Sequence, residues 1–315
     1  MEGLILEHGV LSLIKVWDKA LKESPTANCA TVNYHYGFHG MSFDIIGILG
    51  FSKSFNVLSQ GDTTMADAFH KMMILLAIFG RLPIIRRMRW AFKPLFEAKD
   101  YVTTVVYRSI ETRKAFIVEN SKLPRVDLLQ KIIDAKDPMT GQVIDMPSLV
   151  SETALLVTAG TDTISNTLSW TIMHLIHYPD VYQRLRDDIR REFPDHSAPI
   201  HYEEARTRLP YLTAVINEFD PERFMGADAE SNWKNILAFS SGVRMCIGRN
   251  LAWVEMYTTL ANLLRRYDFK LPDNAPYGPH RLLNGIPEAI PGIAFITSGP
   301  KDPKANYQVE ISLAC

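Results

Sequence analysis

Five residues in the C-terminal third, Phe239, Gly242, Arg244, Cys246 and Gly248, are spaced as F-x-x-G-x-R-x-C-x-G within AFSSGVRMCIGRNLAWVEM (Ala238–Met256). Chance yields that pattern in roughly one chain in ten thousand. A lone cysteine is by default an inert packing residue, so the argument rests on its neighbours. Cys246 precedes a helix predicted to start near Gly248, where backbone N–H groups and the positive end of the dipole favour thiolate over thiol. A thiolate is the axial ligand that pushes electron density onto haem iron and favours O–O cleavage. Phe239 is placed to shield the sulfur from water. Arg244 offers a fixed fork to a propionate. Gly242 and Gly248 let the backbone turn tightly and approach a flat macrocycle.

A second constellation is AGTDTIS (Ala159–Ser165). Ala159 and Gly160 leave a groove on one helix face that a planar cofactor or dioxygen can approach. Asp162 and Thr163 put an acid and a hydroxyl side by side, suited to delivering protons to bound oxygen. Taken alone, a mid-helix Thr-Asp-Thr reads more simply as hydroxyls bonded back to the preceding turn. The Cys246 loop shifts the reading to function.

Helical periodicity positions both constellations. Helices are predicted over Leu4–Lys22, Met41–Leu49, Thr64–Ile78, Pro94–Glu119, Arg125–Ala135, Pro147–Tyr178, Val181–Glu192, Tyr202–Arg208, Tyr211–Glu218 and Gly248–Tyr267. Strand signals are confined to Ala294–Thr297 and Gln308–Ser312. The expected fold is mainly α with a small β component, in a single domain over residues 1–315. Pro147–Tyr178 is capped by Asp145 and spans on the order of 45 Å, long enough to cross the middle of a fold.

A net charge of -1 with 47% hydrophobic residues makes no electrostatic case for nucleic acid. Cys29, Cys246 and Cys315 are odd in number and scattered, which argues against a disulfide framework and for a reducing compartment. The N-terminal apolar stretch is interrupted by Glu2, Glu7 and Lys15 and has no basic n-region, so it reads as an amphipathic helix rather than a signal peptide. Met72–Phe92 joins an apolar run to Arg81, Arg86, Arg87, Arg89 and Trp90. That composition reads first as a core helix with a basic solvated end, with peripheral membrane contact as the alternative.

FSSGVRMCIG resembles the haem-ligating loop of the cytochrome P-450 monooxygenases. AGTDTIS is similar to that family's oxygen-activation sequence, DPERF (Asp220–Phe224) to the meander before the haem loop, and RNLAWVEM to the helix behind the haem. Phe38–Gly50 and Leu155–Glu218 resemble fungal members of secondary metabolism. The resemblance implies a P-450-like fold and haem with Cys246 on its iron. It also implies an NADPH-dependent reductase as electron donor, and insertion of one atom of dioxygen into an apolar small molecule. Members sit at the endoplasmic reticulum membrane. This chain shows no match to their anchor, early strands and first helices, which leaves a cytoplasmic or peripherally membrane-associated protein as the expectation.

The stretch NEFDPERF departs from the family pattern. An arginine is expected three residues after Glu218, to join Glu218 in pairing with Arg223; Pro221 stands there instead. The expectation is an internal deletion after Glu218, with Glu218 and Arg223 either paired or solvated beside a turn. A degenerate, inactive relative or mis-spliced fragment, acting at most as a scaffold, is the alternative reading of the same residues.

Overall fold

The computed structural model describes residues 1–26, 28–119, 127–137, 139–217, 220–284, 286–288, 290, 292–294, 298–300, 302 and 306–314. Helices dominate and the strands are short, as the periodicity predicts. The contacts divide the chain into two compact units: Met1–His39 with Ile164–Gly292 and Pro300–Cys315, and Gly40–Thr163 with Ile293–Gly299.

The first unit is built around the helix Arg249–Arg266, whose residues from Glu255 to Arg265 are all buried. Three polar ties hold it. Asn262 uses its amide as a spare peptide: Oδ1 accepts from the Ile200 N–H at 2.9 Å and Nδ2 donates to the Ile200 carbonyl at 3.0 Å. Arg265 donates to the carbonyls of Asp195 and Ala198. Arg266 grips both carboxylate oxygens of Asp18 at 3.0 and 2.7 Å, and the Tyr267 hydroxyl donates to the same carboxylate at 2.7 Å.

Beyond Arg266 the chain becomes a strand, Tyr267–Lys270, on one side of Gln308–Leu313, with Ala30–Asn33 on the other. All pairs are antiparallel, with Val32 opposite Val309 and Phe269 opposite Ile311. The period-two alternation puts Tyr267, Phe269, Val309 and Ile311 inside. Trp17 packs on that face, 5.7 Å from the Tyr267 ring. Of the three strands the sequence predicts only Gln308–Leu313; the expected Ala294–Thr297 runs into residues outside those described.

The second unit carries a separate core, in which Phe43, Ile46, Phe69, Val102, Val106, Leu149 and Val157 meet. Its main polar tie is Arg113, whose guanidinium donates to both Asp127 oxygens at 2.7 and 2.6 Å, with both side chains nearly inaccessible. Burial alone would raise the Asp127 pKa, but hydrogen bonds from Arg113 and Ser52, the Gln130 N–H and the Arg113 charge bring it below the usual carboxylate range. Losing one partner of such a buried pair costs about 3–5 kcal/mol. Asp145 caps Met146–His177 through the Ser148 N–H at 3.1 Å, as the sequence predicts.

The segment around Met72–Phe92 divides between the two readings. Met72, Leu75 and Ile85 are buried, whereas Leu82, Ile84 and Trp90 are 56%, 59% and 80% exposed beside the arginines.

Candidate functional site

The loop that carries Cys246 is shaped by its backbone. Ser240 and Gly242 both lie in the left-handed region, at φ 58° and 70°, which turns the chain twice within three residues. The Cys246 N–H then donates to the Phe239 carbonyl at 2.9 Å and the Met245 N–H to Gly242 at 3.1 Å, closing the loop. Gly248 is the N-cap of Arg249–Arg266, at φ -81°. The Phe239 ring packs, tilted, 5.5 Å from Trp253, and Trp253 lies 5.7 Å from Tyr257, so the base of the loop is pinned to the second turn of the helix.

Everything from Ser240 to Ile247 is exposed, Cys246 included. Val243 and Ile247 are 102% and 101% exposed and point their apolar side chains outward around the thiol. Phe239 serves the loop base through Trp253. Gly248 has ordinary backbone angles, and an added Cβ would meet only Cys246 Sγ at 3.8 Å, so of these two glycines only Gly242 sits at a positive φ.

The residues of Ala159–Ser165 belong to the long helix Met146–His177. Thr163 donates its hydroxyl to the Ala159 carbonyl at 2.6 Å, the back-bond that a mid-helix threonine favours. Leu155, Ala159 and Thr163 are exposed and recur every four residues, forming one open stripe; Asp162 is half-buried at its side. Gly160 corrects the expectation of an open groove. A Cβ there would lie 2.8 Å from Ile46 Cδ1, so its missing side chain admits the helix Tyr34–Phe51 to the second unit's core. Ala159, one residue earlier, faces out.

The sequence profile described as Cytochrome P450 matches residues 5–219 and 217–282. The chain belongs to the cytochrome P450 family. The cytochrome P450 monooxygenase helB1 of Aspergillus fumigatus is 28% identical over 371 aligned positions, which take in 99% of this chain and 63% of helB1. The monooxygenase helB3 of the same fungus is 26% identical over 370 positions, with 72% of its length covered. The crystal structure of the cytochrome P450DA heme domain superposes with TM-score 0.77 at 16% identity, over 99% of this chain and 73% of that one; at that identity it shows the fold. This cytochrome P450 thus spans under two thirds of the first of these relatives and nearly three quarters of the others.

The alignments also contain positions that this chain does not fill. Since 99% of 315 residues is about 312, an alignment of 371 positions leaves about 59 that helB1 alone occupies. The helB3 alignment leaves about 58 by the same subtraction. The two matches to the family profile meet at residues 217–219, the seam where the sequence departs from the family pattern. Glu218 lies outside the described residues, so its pairing is not placed. Arg223 stands in the short 3-10 turn Pro221–Phe224, where its carbonyl accepts from the Asn232 amide at 2.7 Å.

In a cytochrome P450 the cofactor is haem with a cysteine thiolate on its iron. The loop fits it: an exposed thiol on a rigid turn, an outward apolar flank from Val243 and Ile247, and the exposed guanidinium of Arg244. Sequence reasoning missed Glu255, on the helix behind the loop. It is 1% exposed, its Oε2 has no hydrogen-bond partner, and burial holds its pKa well above the usual carboxylate range. Its signal lay in RNLAWVEM, where an acid interrupts a helix otherwise suited to burial.

Proposed function

We propose that this chain is a haem-dependent monooxygenase that inserts one oxygen atom of dioxygen into an apolar small molecule of fungal secondary metabolism. Residues 1–315 act in this reading as one domain. The observation that carries it is the Cys246 loop, closed by the Cys246 N–H on the Phe239 carbonyl and leaving the thiol exposed among outward apolar side chains. Cys246 would hold the iron and Arg244 a propionate. When bound, haem supplies the activation of dioxygen at its iron. One oxygen atom enters a C–H bond of the substrate and the other leaves as water, with two electrons and two protons consumed.

The protein's own share is positioning and proton delivery. Asp162, half-buried beside the open stripe, and the Thr163 hydroxyl are the groups assigned to moving protons. Thr163 already donates to the Ala159 carbonyl, so its oxygen is oriented to accept a further hydrogen. Electrons come from an NADPH-dependent cytochrome P450 reductase. The exposed Leu82, Ile84 and Trp90 beside Arg81, Arg86 and Arg87 support peripheral membrane contact at the endoplasmic reticulum. Among the described residues no helix is long and apolar enough to cross a membrane.

Reduced protein exposed to carbon monoxide should show the thiolate-type Soret band, lost in Cys246→Ser. An identical spectrum in the variant removes Cys246 as the ligand.

A second reading has its own observations: about 59 positions of helB1 have no counterpart in this chain, and the match to the family profile breaks at residues 217–219. A chain without those positions would be an inactive relative that holds haem weakly. Stoichiometric haem in soluble, cooperatively melting protein excludes that reading; colourless protein after growth with added hemin establishes it over the first.

A further inference from the structure

Residues 220–247 carry the chain from the seam to the cysteine and its loop, and only Pro221 and Phe224 among them are buried. The helix within this stretch, Ala229–Lys234, has no buried residue. A segment with so little apolar burial opens locally at low cost, so whatever holds its ends sets where the loop stands. One hold is the contact of Phe239 with Trp253. The other is a cluster of three side chains at Glu222.

Arg184, on the helix Pro179–Glu192, has its guanidinium carbon 3.9 Å from the centroid of the Tyr211 ring and donates to the Glu222 carboxylate. Tyr211, in the helix Pro210–Asn217, is 3% exposed. Its hydroxyl hydrogen-bonds Glu222 as well, and its pKa is raised first by burial and then by the Glu222 charge. A guanidinium over an aromatic face is attracted by the ring and keeps its fork for a carboxylate. The buried ring thus fixes Arg184, and Arg184 fixes Glu222. Order then passes along the chain. Phe224 packs 4.7 Å from Trp233, the Asn232 amide donates to the Arg223 carbonyl at 2.7 Å, and the Ser240 N–H donates to the Leu237 carbonyl at 2.8 Å.

We propose that Arg184 and Glu222, mounted on the Tyr211 ring, are positioning residues that hold the segment Pro221–Phe239 and, through it, the cysteine loop. Their side chains are 44% and 60% exposed, and an exposed ion pair adds little to global stability. The same small contribution is a large share of what holds a segment with only two buried residues, so its effect is local. The consequence for Cys246 as an iron ligand rests on the monooxygenase reading; the hold on the segment does not.

Trypsin cleavage after Lys234, whose side chain is 72% exposed, reads the hold without haem, because the helix around it must open before it is cut. Arg184→Gln and Glu222→Gln should each speed that cut about five-fold or more, while Tm moves by no more than about 2 °C. The double variant should be cut no faster than the faster single, since the two residues act as one unit. Arg184→Lys, which keeps the charge, should stay within about two-fold of the parent. Unchanged rates in both glutamine variants overturn the proposal. So do effects that multiply in the double variant, or a faster cut matched by a loss of global stability, which mark an ordinary surface contact. In haem-loaded protein, the share of the reduced, carbon monoxide-bound form with the thiolate-type Soret band should fall about two-fold in Glu222→Gln and hold in Arg184→Lys. An undiminished band in Glu222→Gln overturns the link to the loop. Absence of the band from the parent overturns the monooxygenase reading instead, and the protease rates then decide the proposal.

Discussion

The stretches Ser240–Ile247 and Arg249–Arg266 adjoin in the chain and obtain their shapes in opposite ways. The loop has every residue exposed and is held by two left-handed residues, a few backbone hydrogen bonds and one ring contact at its base. The helix is buried along most of its length and tied to Asp18, Asp195, Ala198 and Ile200. A ligand loop must present side chains to something outside itself, so its order comes from turn geometry. The helix must hold that loop still, so its order comes from packing and satisfied polar groups. Substitutions in the loop should therefore change cofactor binding with little effect on folding, and substitutions in the helix the reverse.

The largest expected effect lies on the helix. Leu260→Ala removes a side chain with no exposure and should cost about 2–5 kcal/mol in urea unfolding. Val243→Ala in the loop should stay within about 0.5 kcal/mol. Equal losses would erase the contrast.

The next effect depends on pH and comes from a buried carboxyl and a half-buried imidazole. Glu255 has a pKa raised by burial. The folded state then keeps a proton that the unfolded chain releases above about pH 4.3, so stability falls as pH rises from there. Glu255→Gln should be increasingly more stable than the native chain between pH 5 and pH 8. The pKa of His174 is lowered to about 4 by burial and the nearby His177. Its contribution is complete above the ordinary histidine value of about 6.5 and is lost as pH falls toward 4. His174→Phe should remove that acid-side loss. Thermal melts from pH 4 to 8 on both variants check the two opposite slopes.

The smallest effect separates two glycines of one motif. Gly242→Ala forces a Cβ into the left-handed region and should cost about 1–2 kcal/mol together with haem occupancy. Gly248→Ala, at φ -81° and with open space beside it, should leave stability within about 0.5 kcal/mol. A reversed order would mean that the loop takes another conformation when loaded.

Much of the fold was legible, because helices announce themselves through local periodicity. The long helix read as Pro147–Tyr178 spans Met146–His177, and its Asp145 cap was visible three residues before Ser148. Ala30–Asn33 and Tyr267–Lys270 were not legible. Each is four residues long, and each becomes a strand by pairing with Gln308–Leu313, which lies far along the chain from Ala30. In the site, the Cys246 motif was legible through spacing. The packing role of Gly160 was not, because its partner Ile46 belongs to a distant helix.

By itself the amino-acid sequence determined the mainly helical architecture, the family pattern around Cys246 and the seam after Glu218. Those features rest on residue type and short spacing, and the physics of turns and helices acts over the same short range. Tertiary structure alone decided which of two like residues works in which way. Phe239 packs against Trp253, Gly242 lies in the left-handed region where Gly248 does not, and Glu255 is sealed away without a partner for Oε2. Burial and unpaired polar atoms are properties of neighbours brought together across the chain, and no local pattern records them.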